Sequence, residues 1–270
     1  MRAKPWSNPS TTDVVFRLLQ KGLPKAADAS AGALGIDWSK CKVADVGAGR
    51  GHFSHRLGEQ LRQEVSLDPA LHIFACDLFP ESFEYEAIRC HKTESDNRLP
   101  FEDATFDAVV SVEVIEHVED QFAFLRELLR IAKPGAPIIV TTPNTHHMVS
   151  RLRSLTWGFP QLYDPLSLGV HDPRMCGGHI HPIAPYFLAY TALRAGLDKI
   201  DFHGDRRKTS ASIWTVLFAP ILLLGRATAA RRLRSKNPDI AAENDAWMKA
   251  VNGWTMLTSR TVVLEARKPI

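Results

Sequence analysis

Cysteine is scarce in this sequence. The four thiols, Cys41, Cys76, Cys90 and Cys176, stand far apart and form no CxxC pair. That excludes metal-finger and thioredoxin-like readings. Cys76 and Cys90 lie in apolar runs and are expected as core thiols, which fits a reducing, cytoplasmic compartment. No apolar run reaches the roughly eighteen residues that a membrane span needs. The opening MRAKPWSNPS has no apolar core of signal-peptide length. Charge of one sign is also lacking: 33 basic residues face 30 acidic ones, a formal net of +3. Such a balance gives no electrostatic argument for a nucleic-acid partner. Internal repeats and low-complexity tracts are absent.

What is present is a β/α alternation. Ser10 or Thr11 is placed to cap a helix carrying Val14, Val15, Leu18 and Leu19 on one face, stopped by Gly22 and Pro24. After a small-residue linker, strands are predicted at 42–46, 71–76, 87–91, 107–112 and 137–142. A helix over 52–61 and another carrying Leu125, Leu128, Leu129 and Ala132 separate them. Beyond a loop-rich stretch, a helix at 186–195, a strand at 199–203 and a last strand at 261–266 complete the pattern. This predicts one domain of α/β class: a Rossmann-like, mainly parallel seven-stranded sheet with helices on both faces. Residues 1–41 form its leading helix and linker, 42–144 the ligand-binding core, and 145–185 a lid-like insertion. Residues 186–270 finish the sheet around a second, irregular insertion at 205–258. The final strand has no helical crossover before it, which allows it to run antiparallel.

Between the first strand and first core helix lies Asp45-Val46-Gly47-Ala48-Gly49-Arg50-Gly51. Glycines there permit positive φ and a close backbone approach to a ligand. Ligands on open α/β sheets bind at the carboxyl ends of the strands. The third glycine arrives one residue too early for the dinucleotide fingerprint, where His52 stands instead, and no Walker lysine follows. Asp77 closes the second strand, where a carboxylate can either accept ribose hydroxyls or cap the following turn.

Further on come Leu99-Pro100-Phe101-Glu102-Asp103 with Phe106-Asp107, then Glu113-Val114-Ile115-Glu116-His117, then Lys133-Pro134-Gly135-Ala136 and Thr142-Pro143-Asn144. In order and spacing these motifs resemble the class I S-adenosylmethionine-dependent methyltransferases. The likeness is to the branch of ubiquinone-biosynthesis O-methyltransferases and methyltransferases of bacterial cell-surface sugars. It covers residues 42–144 well and 180–203 loosely, with Ala136 replacing the second glycine of KPGG. It implies S-adenosyl-L-methionine as the donor. Gly47, Ala48, Gly49 and Gly51 would then pass the methionine part, Asp45 orient its amino group, and Asp77 with Leu78 hold the ribose. Asp96 and Asn97 would reach the adenine amine, and Glu113 would lie under the sulfonium.

A hydroxyl acceptor needs a base, and histidine titrates in the right range. His117, His146, His147, His171, His179 and His181 are all expected on the carboxyl-end face. His117 leads, with Glu113 and His181 beside it. Glu113, Glu116 and His117, completed by His181 or His179, form an alternative divalent-metal set, because i and i+3 share a helical face. Some relatives, including small-RNA 2′-O-methyltransferases, use ExxEH with a further histidine for magnesium, so metal is a possible but not the favoured cofactor.

The acceptor is less legible. An NPPY-type motif is missing, which favours oxygen over nitrogen. Residues 213–224 (IWTVLFAPILLL) are nearly all apolar and are followed by Arg226, Arg231, Arg232, Arg234 and Lys236. That pairing suits either a buried helix, packed on the sheet or across a dimer, or a peripheral contact with an anionic membrane at its inner surface. The leading expectation is O-methylation of a small or lipid-linked acceptor, a glycan or quinol. The alternatives are a metal-dependent RNA 2′-O-methyltransferase, an NAD-dependent oxidoreductase, and a donor-binding protein without catalysis.

Overall fold

The computed structural model describes residues 9–26, 34–93, 98–169 and 178–270. Seven strands form one sheet: β1 (Val43–Val46), β2 (Ile73–Asp77), β3 (Cys90–Lys92), β4 (Ala108–Val112), β5 (Pro137–Pro143), β6 (Asp198–Gly204) and β7 (Thr261–Arg267). Their order is β3-β2-β1-β4-β5-β7-β6. The first five run parallel, and β1 is flanked by β2 and β4. The order reverses there, which opens the crevice where α/β sheets bind ligands. β7 pairs antiparallel with both β5 and β6. The expected seven-stranded, mainly parallel sheet and the antiparallel last strand are thus both present.

Alternation along each strand feeds two core layers. Val43, Val110, Ile139 and Val263 face α1 (Pro9–Gly22) and α2 (His52–Val65). Val46, Val109, Ile138 and Leu264 face α3 (Gln121–Ile131) and α5 (Pro185–Ala195). Both sides of these strands are covered, so they read as continuous apolar runs rather than as alternating ones.

The motif residues between β3 and β5 act largely as scaffold. The Arg130 guanidinium donates to the carbonyls of Leu99 and Phe101 and to the carboxylates of Asp103 and Glu127, while Glu127 accepts the Leu99 amide. Asp107 accepts from the Lys42 amide and the Lys133 ammonium. Loop 98–107 is thereby pinned between β1 and α3.

Three expectations change. Ser10 and Thr11 lie inside α1 rather than capping it. The stretch after β5 is not wholly loop: α4 (Met148–Trp157) occupies its start. The second insertion is helical, with α6 (Thr209–Leu217), α7 (Ala219–Lys236), α8 (Pro238–Glu243), α9 (Asp245–Val251) and α10 (Trp254–Thr258). The apolar run is broken between α6 and α7, and Pro220 sits in the first turn of α7, where it forfeits no intrahelical bond.

Candidate active site

The glycine loop follows β1 at the carboxyl edge. Gly47, Gly49 and Gly51 all have positive φ (72°, 51° and 82°). Crowding fixes two of them: a Cβ on Gly47 would lie 2.4 Å from Val114 Cγ2, and one on Gly51 would lie 2.7 Å from the Phe83 ring. At Gly49 the space is open, with nothing within 4 Å of a Cβ. The amides of Gly47 and Ala48 both donate to the Cys76 carbonyl, which ties the loop to β2.

Asp77 binds the loop from the other side. One oxygen accepts the Gly49 amide at 2.8 Å and the other accepts the Phe79 amide at 2.8 Å. The capping role and the position at the end of β2 therefore coexist, and each oxygen keeps a second lone pair. Leu78 lies half-buried next to it. Asp45 is 2% exposed, and its carboxylate accepts from the Ser54 hydroxyl at 2.6 Å. Burial pushes its pKa up to about 7, although the Ser54 hydrogen bond opposes this. A buried carboxylate beneath an open glycine loop suits the ammonium of an amino-acid ligand, so the residues fit the expected donor. Asp96 and Asn97 lie outside the described residues.

Glu113 follows β4 in the left-handed region at φ 58°, a rare conformation for a residue with a side chain. Its amide donates to both the carbonyl and the hydroxyl of Thr141 on β5. Burial, then the Asp205 carboxylate, push its pKa up to about 7 against the pull of Arg260 and Arg206. A 3-10 turn, Ile115–His117, follows.

Residues 178–181 fold back onto that turn. The amides of Ile180 and His181 donate to the Glu116 carbonyl. His117 Nδ1 lies 3.0 Å from the Gly178 carbonyl, and His181 Nδ1 lies 2.7 Å from that of Val118. A carbonyl only accepts, so both rings carry a proton on Nδ1 and leave Nε2 for other partners. Desolvation lowers the His117 pKa, which keeps that ring neutral and able to take a proton near pH 7.

Glu116 is fully buried, and neither of its oxygens has a hydrogen-bond partner. The nearby Thr142 and Tyr163 hydroxyls and His179 Nδ1 are likewise unpartnered. Burial, then the Glu113 charge, raise the Glu116 pKa well above the carboxylate range. Potential ligand atoms of Glu116, His117 and His179 lie within 4.8 Å of one another. Of the expected metal set, Glu116, His117 and the His179 alternative come together, while Glu113 turns to Thr141 and His181 is not in this cluster. An orphaned carboxylate flanked by two imidazoles has the donor chemistry for a divalent cation.

His146 and His147 do not belong with the bases. Burial lowers both to about 4, and His147 caps α4 by accepting the Ser150 amide. Nothing in the sequence pointed to Thr141 or to the cations Arg206 and Arg260, whereas Tyr163 belongs to the lid-like insertion expected at 145–185. The Arg206-Arg207-Lys208 run is basic, but only the Arg207–Ser259 bridge brings Arg260 to it.

Residues 44–140 match the family described as methyltransferase domain. A 42-residue stretch is 55% identical to norajmaline N-methyltransferase of Rauvolfia serpentina, covering 16% of this chain and 14% of that one. Tocopherol O-methyltransferase of Arabidopsis thaliana is 38% identical over 105 residues (37% and 30% covered). Ubiquinone biosynthesis O-methyltransferase of Xylella fastidiosa is 31% identical over 120 residues (40% and 44%). The chain thus matches less than half the length of these relatives. A SAM-dependent methyltransferase from Archaeoglobus fulgidus superposes with a TM-score of 0.52 at 14% identity, covering 95% of this chain and 94% of that one. The matched stretch holds the glycine loop, Asp77 and the Glu113–His117 turn, and the fold around it is that of the Archaeoglobus fulgidus methyltransferase.

Asp45 gives a signed pH prediction. Its native pKa of about 7 exceeds the ordinary 3.8, so the native state holds the proton more tightly than the unfolded chain does. The stability this supplies is complete below about pH 4 and is lost as pH rises through about 7. Asp45→Asn removes that loss. Donor-free protein carrying it should gain, relative to wild type, on the order of 2 kcal/mol more at pH 8 than at pH 5 in denaturant titrations. Its affinity for S-adenosylmethionine should fall by about tenfold or more.

Proposed function

We propose that the protein transfers the methyl group of S-adenosylmethionine to an oxygen of a small or lipid-linked acceptor, with His117 as the general base. The observation that carries this reading is the neutral His117 ring, held by the Gly178 carbonyl, on the turn that follows Glu113. The donor supplies a methyl already activated by its sulfonium. The chain's own tasks are to bind, to exclude water and to accept one proton. Gly47, Ala48, Gly49 and Gly51 hold the methionine part, Asp45 its ammonium, and Asp77 with Leu78 the ribose. Glu113 lies beneath the reacting end, and His181 offers a second Nε2 beside His117.

Relatives that bear tocopherol and ubiquinone in their names support an acceptor of the phenolic, lipid-soluble kind. The balanced charge gives the RNA alternative no support. The test is formation of S-adenosylhomocysteine from S-adenosylmethionine in the presence of a bacterial lipid extract. Wild type should turn over, and His117→Ala should lose about a hundredfold or more in rate while keeping donor affinity. Unaltered turnover in that variant would remove the base assignment. Donor binding without turnover on any lipid or glycan extract would leave the non-catalytic alternative.

A second reading is favoured by the orphaned Glu116 oxygens: a divalent cation held by Glu116, His117 and His179. Manganese(II) should then raise the melting temperature of wild type but not of Glu116→Gln. Without metal that variant should melt higher than wild type, because it no longer buries an unpaired carboxyl group.

The helix pair α6–α7 supports peripheral membrane association. No single helix among the described residues is long and apolar enough to cross a bilayer, and this pair is bent by 68°. Ile213, Val216, Leu217, Ile221, Leu223 and Leu224 are each 62–68% exposed, and α7 buries no residue. These side chains do not pack on the sheet of this chain, so a buried role for them would require a second copy. An apolar bend followed by Arg231, Arg232, Arg234 and Lys236 suits the headgroup layer of an anionic membrane. Wild type should float with vesicles containing phosphatidylglycerol, and Leu223→Asp/Leu224→Asp should stay in the unfloated fraction. Equal flotation of the two would remove the proposal.

A further inference from the structure

The β7–β6 edge holds a cationic cleft that the donor site does not use. Gly204 ends β6 and Thr261 begins β7, so both segments emerge at the carboxyl edge beside Glu113. There 206–208 lie alongside 258–260, because Lys208 N donates to the Thr258 carbonyl and Arg260 N to that of Arg206. The cleft, of about 350 Å³, is lined by Gln161, Arg206, Arg207, Lys208, Thr209 and Arg260. Four cations line it and no acid does.

Arg260 and Arg206 favour the Glu113 carboxylate only through space, not by contact. Among the described residues none of the four makes an ion pair, and Lys208 donates instead to the Gln161 amide oxygen at 2.6 Å. The nearby acids are engaged elsewhere: Asp205 accepts from the Thr11 hydroxyl and the Thr261 amide, and Glu113 faces Thr141. Burial, then the charges of Arg260 and Arg206, lower the Lys208 pKa, so the cluster is crowded enough for its members to repel one another. The first turn of α6, which no side chain caps, closes one wall through Lys208 and Thr209. Guanidinium groups and uncapped helix amides are both donors that match phosphate oxygens.

We infer that this cleft binds a phosphate or diphosphate group of the methyl acceptor and places the rest of that molecule toward Glu113 and His117. The inference rests on the methyltransferase reading and narrows its acceptor to a phosphorylated compound. A dianionic group fits better than a single carboxylate because four converging cations would remain under-neutralised by one charge. Since α6 starts in the cleft and carries exposed Ile213 and Val216 further along, an acceptor with an apolar tail would find continuous footing.

Calorimetry on the full chain tests this with three probes used separately: S-adenosylmethionine, inorganic pyrophosphate and geranyl diphosphate. Wild type should bind the donor and both diphosphates. Arg206→Gln/Lys208→Gln should weaken diphosphate binding by about tenfold or more while donor affinity stays within about twofold. The exposed Arg207→Glu, which disturbs no buried contact, should weaken it in the same direction. Tighter binding of geranyl diphosphate than of pyrophosphate assigns the group to a lipid headgroup, and equal binding assigns it to a water-soluble phosphate; both outcomes support the site. Absence of diphosphate binding, or binding unchanged in the variants, overturns it while donor binding keeps the methyltransferase reading intact. Diphosphate binding without any donor binding in wild type overturns the methyltransferase reading and, with it, the role of the cleft in acceptor recognition.

Discussion

The dominant constraint on this molecule is the burial of three carboxyl groups without an ion pair. Asp45, Glu113 and Glu116 lie at one edge of the sheet, and desolvation is the leading reason that each resists ionisation. Such burial costs free energy that a fold must recover elsewhere. The recovery is visible in the two apolar layers that grip β1, β4 and β5 on both faces. Rigid strands then hold the acids, and Glu113 is held even in a left-handed backbone conformation. Strain and unpaired acidity gathered at one place are the marks of a surface arranged for a ligand rather than for stability.

The antiparallel β7 has an organising role of its own. It sits between β5 and β6, so its first residues and the last residues of β6 meet at the same edge as the glycine loop. Arg260 and Arg206 reach the neighbourhood of Glu113 for that reason alone. The helices of the second insertion hang from this junction, with α6 starting at Thr209 and α10 ending at Thr258. One topological choice thus brings acid, cation and apolar surface next to each other.

Much of the donor half could be read from residue order because its constraints are local. Gly47, Gly49 and Gly51 each need a positive φ, and strands buried on both faces announce themselves as apolar runs. What stayed hidden depends on contacts distant in sequence. The role of the LPF run as a clamp on Arg130 requires α3 to be in place. The choice of His179 over His181 beside Glu116 depends on how 178–181 fold back on the 3-10 turn. His147 looked like its neighbours until the fold made it a cap. The apolar 213–224 run carried no sign of whether it would be covered, since composition is the same for a buried helix and an exposed one. The three-residue β3 begins later than the propensity of 87–91 suggests, because pairing with β2 rather than residue type sets its limits.

The direction of β7 also settles where the chain leaves the sheet. Arg267 pairs with Pro137 and Asp198, Lys268 accepts the Gly135 amide, and Ile270 is fully exposed. That rim is opposite the one bearing the glycine loop and the cationic cleft. Tethering the molecule to a sensor chip through residue 270 would therefore turn its reactive rim outward into the flowing liquid.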